Sequence, residues 1–184
     1  MNRSLVSMVL MPLHPEQARR LQFIDEENYA PVVRKVRELY EAEHGCPPTE
    51  AWVNSGIEGL KQYYAVALLD PLNAHAVSAK LDLFWHAHIL HSQQYADFCD
   101  RVVGRYMHHV PLDAANKVAV ENVGVLYNYT LEVIGLLFGE KNPENWPSEH
   151  EADFKLMCTH AQDYTAVNPF ALFAKTERGV LLAT

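Results

Sequence analysis

The sequence is poor in several things, and each shortage excludes something. It holds only three cysteines, Cys46, Cys99 and Cys158, with no CxxC among them and one left over from any pairing. That argues against a disulfide framework or a cysteine-built zinc module and favours a reduced, cytoplasmic setting. Lys and Arg number 15 against 23 Asp and Glu, a formal charge of −8. No Lys/Arg stripe reverses that balance locally, so phosphate backbones and anionic lipid are repelled, and neither nucleic acid nor membrane is an expected partner. No apolar run approaches the roughly 20 residues that cross a bilayer. The opening MNRSLVSMVLMPLHP carries a short apolar run cut by Pro12, with no small-residue cleavage pattern. It predicts an arm, residues 1–14, packed on the domain rather than a signal peptide. G-x-S-x-G, HExxH, P-loop and GxGxxG signatures are also missing, so the common hydrolase, zinc-protease, kinase and dinucleotide chemistries have no support.

What remains is a chain of 184 residues, 49% apolar and 21% charged. This is enough to bury one core, and residues 1–184 are expected to form a single domain. β-branched alternation is nearly absent, and helical periodicity predominates. Pro15 suits the first position of a helix through EQARRLQFIDEENY, which Pro31 should end or kink. PVVRKVRELYEAEHG follows and closes at Gly45. A third helix starts from Thr49, where Gly56 and Gly59 either weaken it or let another helix approach closely, and Pro71 ends it. Ser78 is placed to cap AKLDLFWHAHILH, and Ser92 to cap QQYADFCDRVV up to Gly104. Asp113 is placed to cap a long apolar helix closing at Gly139. Ser148 and Glu151 match a capping box that would open a last helix through about Tyr164. The tail, 165–184, carries no clear pattern. The expected architecture is all-α, an irregular single-domain bundle of about six helices.

Ten histidines stand out, and five of them, His86, His88, His91, His108 and His109, fall in one short stretch. Asp82 and His86 are spaced i and i+4, so a carboxylate and an imidazole share a helix face. His88 lies about 200° around the helix from His86 at 100° per residue, so the two are not expected on one metal unless the helix is distorted. His108 and His109 precede Pro111, where the backbone tends to be extended. One of them then faces inward and the other outward. The simplest metal set is Asp82, His86 and either His108 or His109. Two imidazoles and a carboxylate suit Zn²⁺ or Fe²⁺ with positions left open, and copper is harder to exclude than magnesium or calcium. A remaining histidine or Glu121 could support the ligands, with His88, Tyr95 and Cys99 around the pocket and His88 and Tyr95 as candidate catalytic groups. The same residues have a plainer reading. Asp82–His86 could be a charge-assisted pair joining helices, Tyr95 a core residue with a bonded hydroxyl, and Cys99 a small buried hydrophobe. His14, His44, His75, His150 and His160 are scattered and call for no function.

Read together, Asp82-x-x-Trp85-His86-x-His88, Tyr95-x-x-Phe98-Cys99, Gly104 and His108-His109-x-Pro111 resemble the bacterial glycine-rich-domain-containing-protein-like family. The likeness continues through Tyr129-Thr130-Leu131, Phe138-Gly139-Glu140 and Trp146-Pro147. This chain has Ser92 where a threonine is usual and lacks the glycine-rich segment. The resemblance implies a helical domain whose polar motif residues gather at one site, and no particular reaction. Two functions follow as expectations. One is a metal-dependent enzyme acting on a small molecule or peptide, by oxygen activation with iron or water activation with zinc. The other is a binding or scaffold module whose His/Asp cluster is a structural polar core or structural metal site, with a homo-oligomer or a protein partner possible. Histidines this close together also allow a pH-responsive contact.

Overall fold

The computed structural model describes residues 3–113, 115–148, 150–151 and 170–176, with the main chain alone for 158–160. Seven helices lie among them: α1 (Leu5–Met8), α2 (Pro15–Glu26), α3 (Ala30–His44), α4 (Glu50–Leu69), α5 (Ala79–Ile89), α6 (Ser92–Val102) and α7 (Lys117–Phe138). Three very short strands join them, β1 (His75–Ala76), β2 (Val110–Pro111) and β3 (Cys158–His160). The all-α expectation therefore holds for the bulk of the chain. No helix among the described residues is long and apolar enough to cross a membrane.

Local chemistry explains most helix ends. The Thr49 side chain accepts from Trp52 N to open α4, and Ser78 does the same for α5 with Leu81 N. Gly45 closes α3 at φ 72°, a conformation that β-carbon-bearing residues avoid. Elsewhere the boundaries differ from expectation. α2 stops at Glu26, and Pro31 sits in the first turn of α3, where its missing N–H is harmless. Asn116 caps α7 through Ala119 N, while Asp113 instead accepts from Ala115 N. His91, not Ser92, occupies the cap position of α6 and gives it no side-chain bond. The N-terminal arm contains one helical turn, α1, and packs Leu5 into the core.

The expected helix from Ser148 to about Tyr164 needs correction. Ser148 and Glu151 do engage, Oγ to Oε2 at 2.7 Å, but Cys158–His160 is extended and runs antiparallel between β1 and β2. Its remaining residues, 152–157 and 161–164, lie outside the described set, as do 165–169 and 177–184 of the tail.

α4 is the central helix, packed against α2, α5 and α7. Its two glycines serve the closest approach. A β-carbon on Gly56 would meet Phe84 Cζ at 2.1 Å, and one on Gly59 would meet Leu81 Cδ2 at 2.6 Å. α5 thus lies almost on the backbone of α4, which fixes the depth at which its motif side chains emerge.

Candidate functional site

α5 has two faces. Leu81, Phe84, Trp85 and His88 fall on the buried one, at helical spacing, and Asp82 and His86 turn outward. The Ser78 hydroxyl locks the helix start by donating to Asn145 O at 2.7 Å. His86 and His88 thus lie on separate sides, as their spacing predicts.

On the inner face His88 is fully buried. Its Nδ1 lies 2.8 Å from the Tyr64 hydroxyl, and the rings of Tyr29, Tyr64, Tyr95 and Phe98 surround it. Burial, helped by the nearby charge of His91, pushes the imidazole down to about 3. Burial also holds the Tyr64 hydroxyl well above its ordinary value. His88 is therefore a neutral core residue, poorly placed for proton transfer with solvent. Its Nε2 is buried without a hydrogen-bond partner among the described residues, and so is that of His91.

Tyr95, the other candidate catalytic group, is equally enclosed. Its hydroxyl accepts from Trp85 Nε1 at 2.9 Å and donates to Met107 O at 2.6 Å. One side chain from α6 thereby joins α5 to the loop that leads into β2. Cys99 lies beside it, and burial pushes its thiol up to about 11, which suits the small-hydrophobe reading and not a reactive thiolate.

The outer face carries the proposed ligands. His109 turns inward from its loop, its Nε2 2.8 Å from Asp82 Oδ1, with its ring 4.7 Å from Trp85 and edge-on to His86 at 5.6 Å. His108 points outward and rests on Tyr106 at 4.8 Å. The alternation expected of two residues before Pro111 is present. Asp82 and His109 meet directly, His86 borders them exposed to solvent, and Glu121 is exposed on the second turn of α7. Among the described residues no three His, Cys, Asp or Glu side chains converge closely enough to hold a metal ion.

A second polar cluster escapes sequence reasoning. In the loop after α4, Asp70 Oδ2 accepts from Tyr129 at 2.7 Å and lies 3.0 Å from His75 Nε2, while Asp70 Oδ1 accepts from Asn73 Nδ2 at 2.7 Å. His75 Nδ1 is 3.1 Å from Thr130 Oγ1, which also accepts from Ala76 N and donates to Leu126 O. Asp70, His75 and Thr130 have no exposed surface at all. His75, which needs no explanation in the sequence, is thus a buried link between the loop and α7. The short D-x-x-N-x-H spacing, rich in turn formers, is the one local hint.

The model of the family described as UCP032817-like matches residues 19–168, the greater part of the chain. The chain belongs to the UCP032817-like family. The matched span takes in both polar clusters and all helices from α3 to α7. No curated protein and no solved structure matches the chain.

Proposed function

We propose that this UCP032817-like chain is a binding or scaffold module in which the motif residues form a hydrogen-bonded polar core that sets helix packing. The observation that carries this reading is the Tyr95 hydroxyl, buried between Trp85 Nε1 and Met107 O. It ties two helices and a loop and leaves no free face toward a substrate. Tyr64–His88 and Asp70–His75–Thr130 support it in the same way. A polar core of this kind specifies one packing because any other leaves buried donors or acceptors unpaired. Three cysteines with no CxxC among them favour action in the cytoplasm. The motif order that resembles the glycine-rich-domain-containing-protein-like family then reflects shared packing of these residues.

A second reading uses the outer face. Asp82 and His109 in contact, with His86 beside them and all three reached by solvent, would take a divalent ion, iron or zinc with copper as a further option, only by drawing closer together than they stand. His108 would close on it only after leaving Tyr106. Bound iron would activate oxygen and bound zinc would activate water, toward a small-molecule or peptide substrate. Metal analysis of protein purified without a His-tag separates the two readings. The scaffold reading expects a stoichiometry near zero and a melting temperature unchanged by chelators. Close to one metal per chain, lost in His86→Ala, overturns it.

A further inference from the structure

The N-terminal arm packs on α2 and α4 and is pinned at two points. Leu5 sinks into the core while its N–H donates to Asp25 Oδ2 at 2.7 Å, and Leu10 N donates to Leu137 O at 2.8 Å. Between the arm and the helices lies a cavity of about 550 Å³, bordered by Arg3, Leu5 and Met8 of the arm, Asp25 of α2, and Glu58 and Lys61 of α4. That volume falls within the roughly 300–1,000 Å³ of sites that hold small molecules.

The charged groups around this cavity fall into two sets. Glu58 and Lys61 stand three residues apart on one helix face, a spacing at which opposite charges commonly pair. Lys61 turns to Asp25 instead, Nζ to Oδ1 at 3.1 Å, with side chains 20% and 22% exposed, and its ammonium lies 5.6 Å from the centre of the Tyr29 ring. Glu58 is left single, and so is Arg3. Both are exposed, and neither has an ion pair or hydrogen bond among the described residues. A satisfied ion pair therefore forms the deeper part of the cavity, with one free charge of each sign nearer the solvent.

Two cations and two anions decide what fits. A ligand of one sign is repelled by half of these groups, and an uncharged one displaces water from them without offering a counter-charge. A ligand carrying an ammonium and a carboxylate a few bonds apart answers both free groups at once, and Leu5 and Met8 supply an apolar wall for its side chain. We propose that the cavity binds a zwitterionic amino acid with an apolar side chain, its carboxylate on Arg3 and its ammonium on Glu58, above the Asp25–Lys61 pair. The Arg3 guanidinium suits a carboxylate because it can offer two parallel N–H donors. The site uses none of the hydrogen bonds of the polar core and no residue from the outer face of α5. It thus goes beyond the scaffold reading and stands whether or not a metal binds.

Calorimetric titration of the full chain with free leucine, isoleucine, valine, methionine and phenylalanine tests it. At least one should bind saturably, and capping it at either end, as the N-acetyl acid or the carboxamide, should weaken binding by about tenfold or more. Arg3→Gln and Glu58→Gln remove exposed groups that the fold does not use, so circular dichroism and the melting temperature of the free chain should stay unchanged. Arg3→Gln should weaken the amino acid and leave its carboxamide unaffected, whereas Glu58→Gln should weaken the amino acid and leave its N-acetyl form unaffected. No saturable binding by any of these amino acids at millimolar concentration overturns the proposal. So does a bound amino acid whose capped forms bind equally well, or binding that survives both substitutions. Metal stoichiometry enters none of these readouts, so failure here leaves the scaffold reading untouched.

Discussion

The molecule contains the same pair of side chains twice. Asp70 and His75 meet at 3.0 Å with both side chains at 0% exposure, whereas Asp82 and His109 meet at 2.8 Å with 22% and 16% exposed. By distance alone the second contact is the stronger. Environment reverses the order. The inner pair sits in a lattice of further bonds from Tyr129, Asn73 and Thr130, and loss of one member strands the others away from water. The outer pair is screened by solvent, and either partner can be rehydrated on separation. A motif search notices the outer pair, because it lies beside a dense histidine run. The inner pair contributes more to the fold.

That contrast can be broken most directly by removing the carboxylates one at a time. Asp70→Ala should destabilise the chain by about 3–5 kcal/mol, the range for one partner lost from a buried pair. Asp82→Ala should cost less than about 1 kcal/mol. Urea denaturation of the two variants side by side checks this, and equal losses would remove the distinction.

His88 sharpens the comparison because it is an imidazole as buried as His75 but with no carboxylate beside it among the described residues. Its folded value is lowered from 6.5 to about 3. Below 6.5 the unfolded chain takes up a proton that the native state refuses, so its contribution to stability is intact above that pH. It is lost progressively as pH falls from 6.5 toward 3, by up to about 1.4 kcal/mol per pH unit. His88→Gln should flatten that part of the pH–stability curve. An unchanged acid slope would place the titration elsewhere.

The smallest effect expected is coupling across the outer pair. A double-mutant cycle of Asp82→Asn and His109→Gln should return less than about 1 kcal/mol at neutral pH, shrinking further in high salt. A value several times larger and insensitive to salt would make the rim behave as the interior does.

Parts of the outer face were legible where the geometry is local, although the Asp82–His109 contact across 27 residues was not. Ser78 as a cap, Asp82 and His86 on one face, His88 on the other and the alternation of His108 and His109 all follow from residues within a few positions of one another. The close approach at Gly56 and Gly59 was half-legible, since the missing β-carbons signal proximity without naming Phe84 or Leu81. The inner network was not legible. Asp70 meets Tyr129 across 59 residues and His75 meets Thr130 across 55, and no periodicity within the loop or α7 announces either contact. Ser148 and Glu151 show the opposite failure. Half of the local capping chemistry forms, with the Glu151 carboxylate accepting from Ser148 N, yet three residues further on are claimed by strand pairing, a non-local interaction. Pro31 marks a break followed by a new helix, as the sequence indicates, and the only difference is that α2 already ends at Glu26, a few residues before it.

The order of the small sheet, β1-β3-β2, has a consequence for how the chain is made. The loop carrying His109 leads straight into β2, and among the described residues β2 pairs with β3, which comes after the whole of α7. As the polypeptide leaves the ribosome, α1 to α6 can settle through contacts formed early. Asp82 and Tyr95 can hold the His109 loop before then, but the strand pairing of β2 must wait until Cys158–His160 has been synthesised. A nascent chain stopped after α7 would therefore have its helices, its Asp70 and the Asp82–His109 contact but not the β3 partner of β2, so the sheet beside the outer site is completed after the site's own side chains are in place.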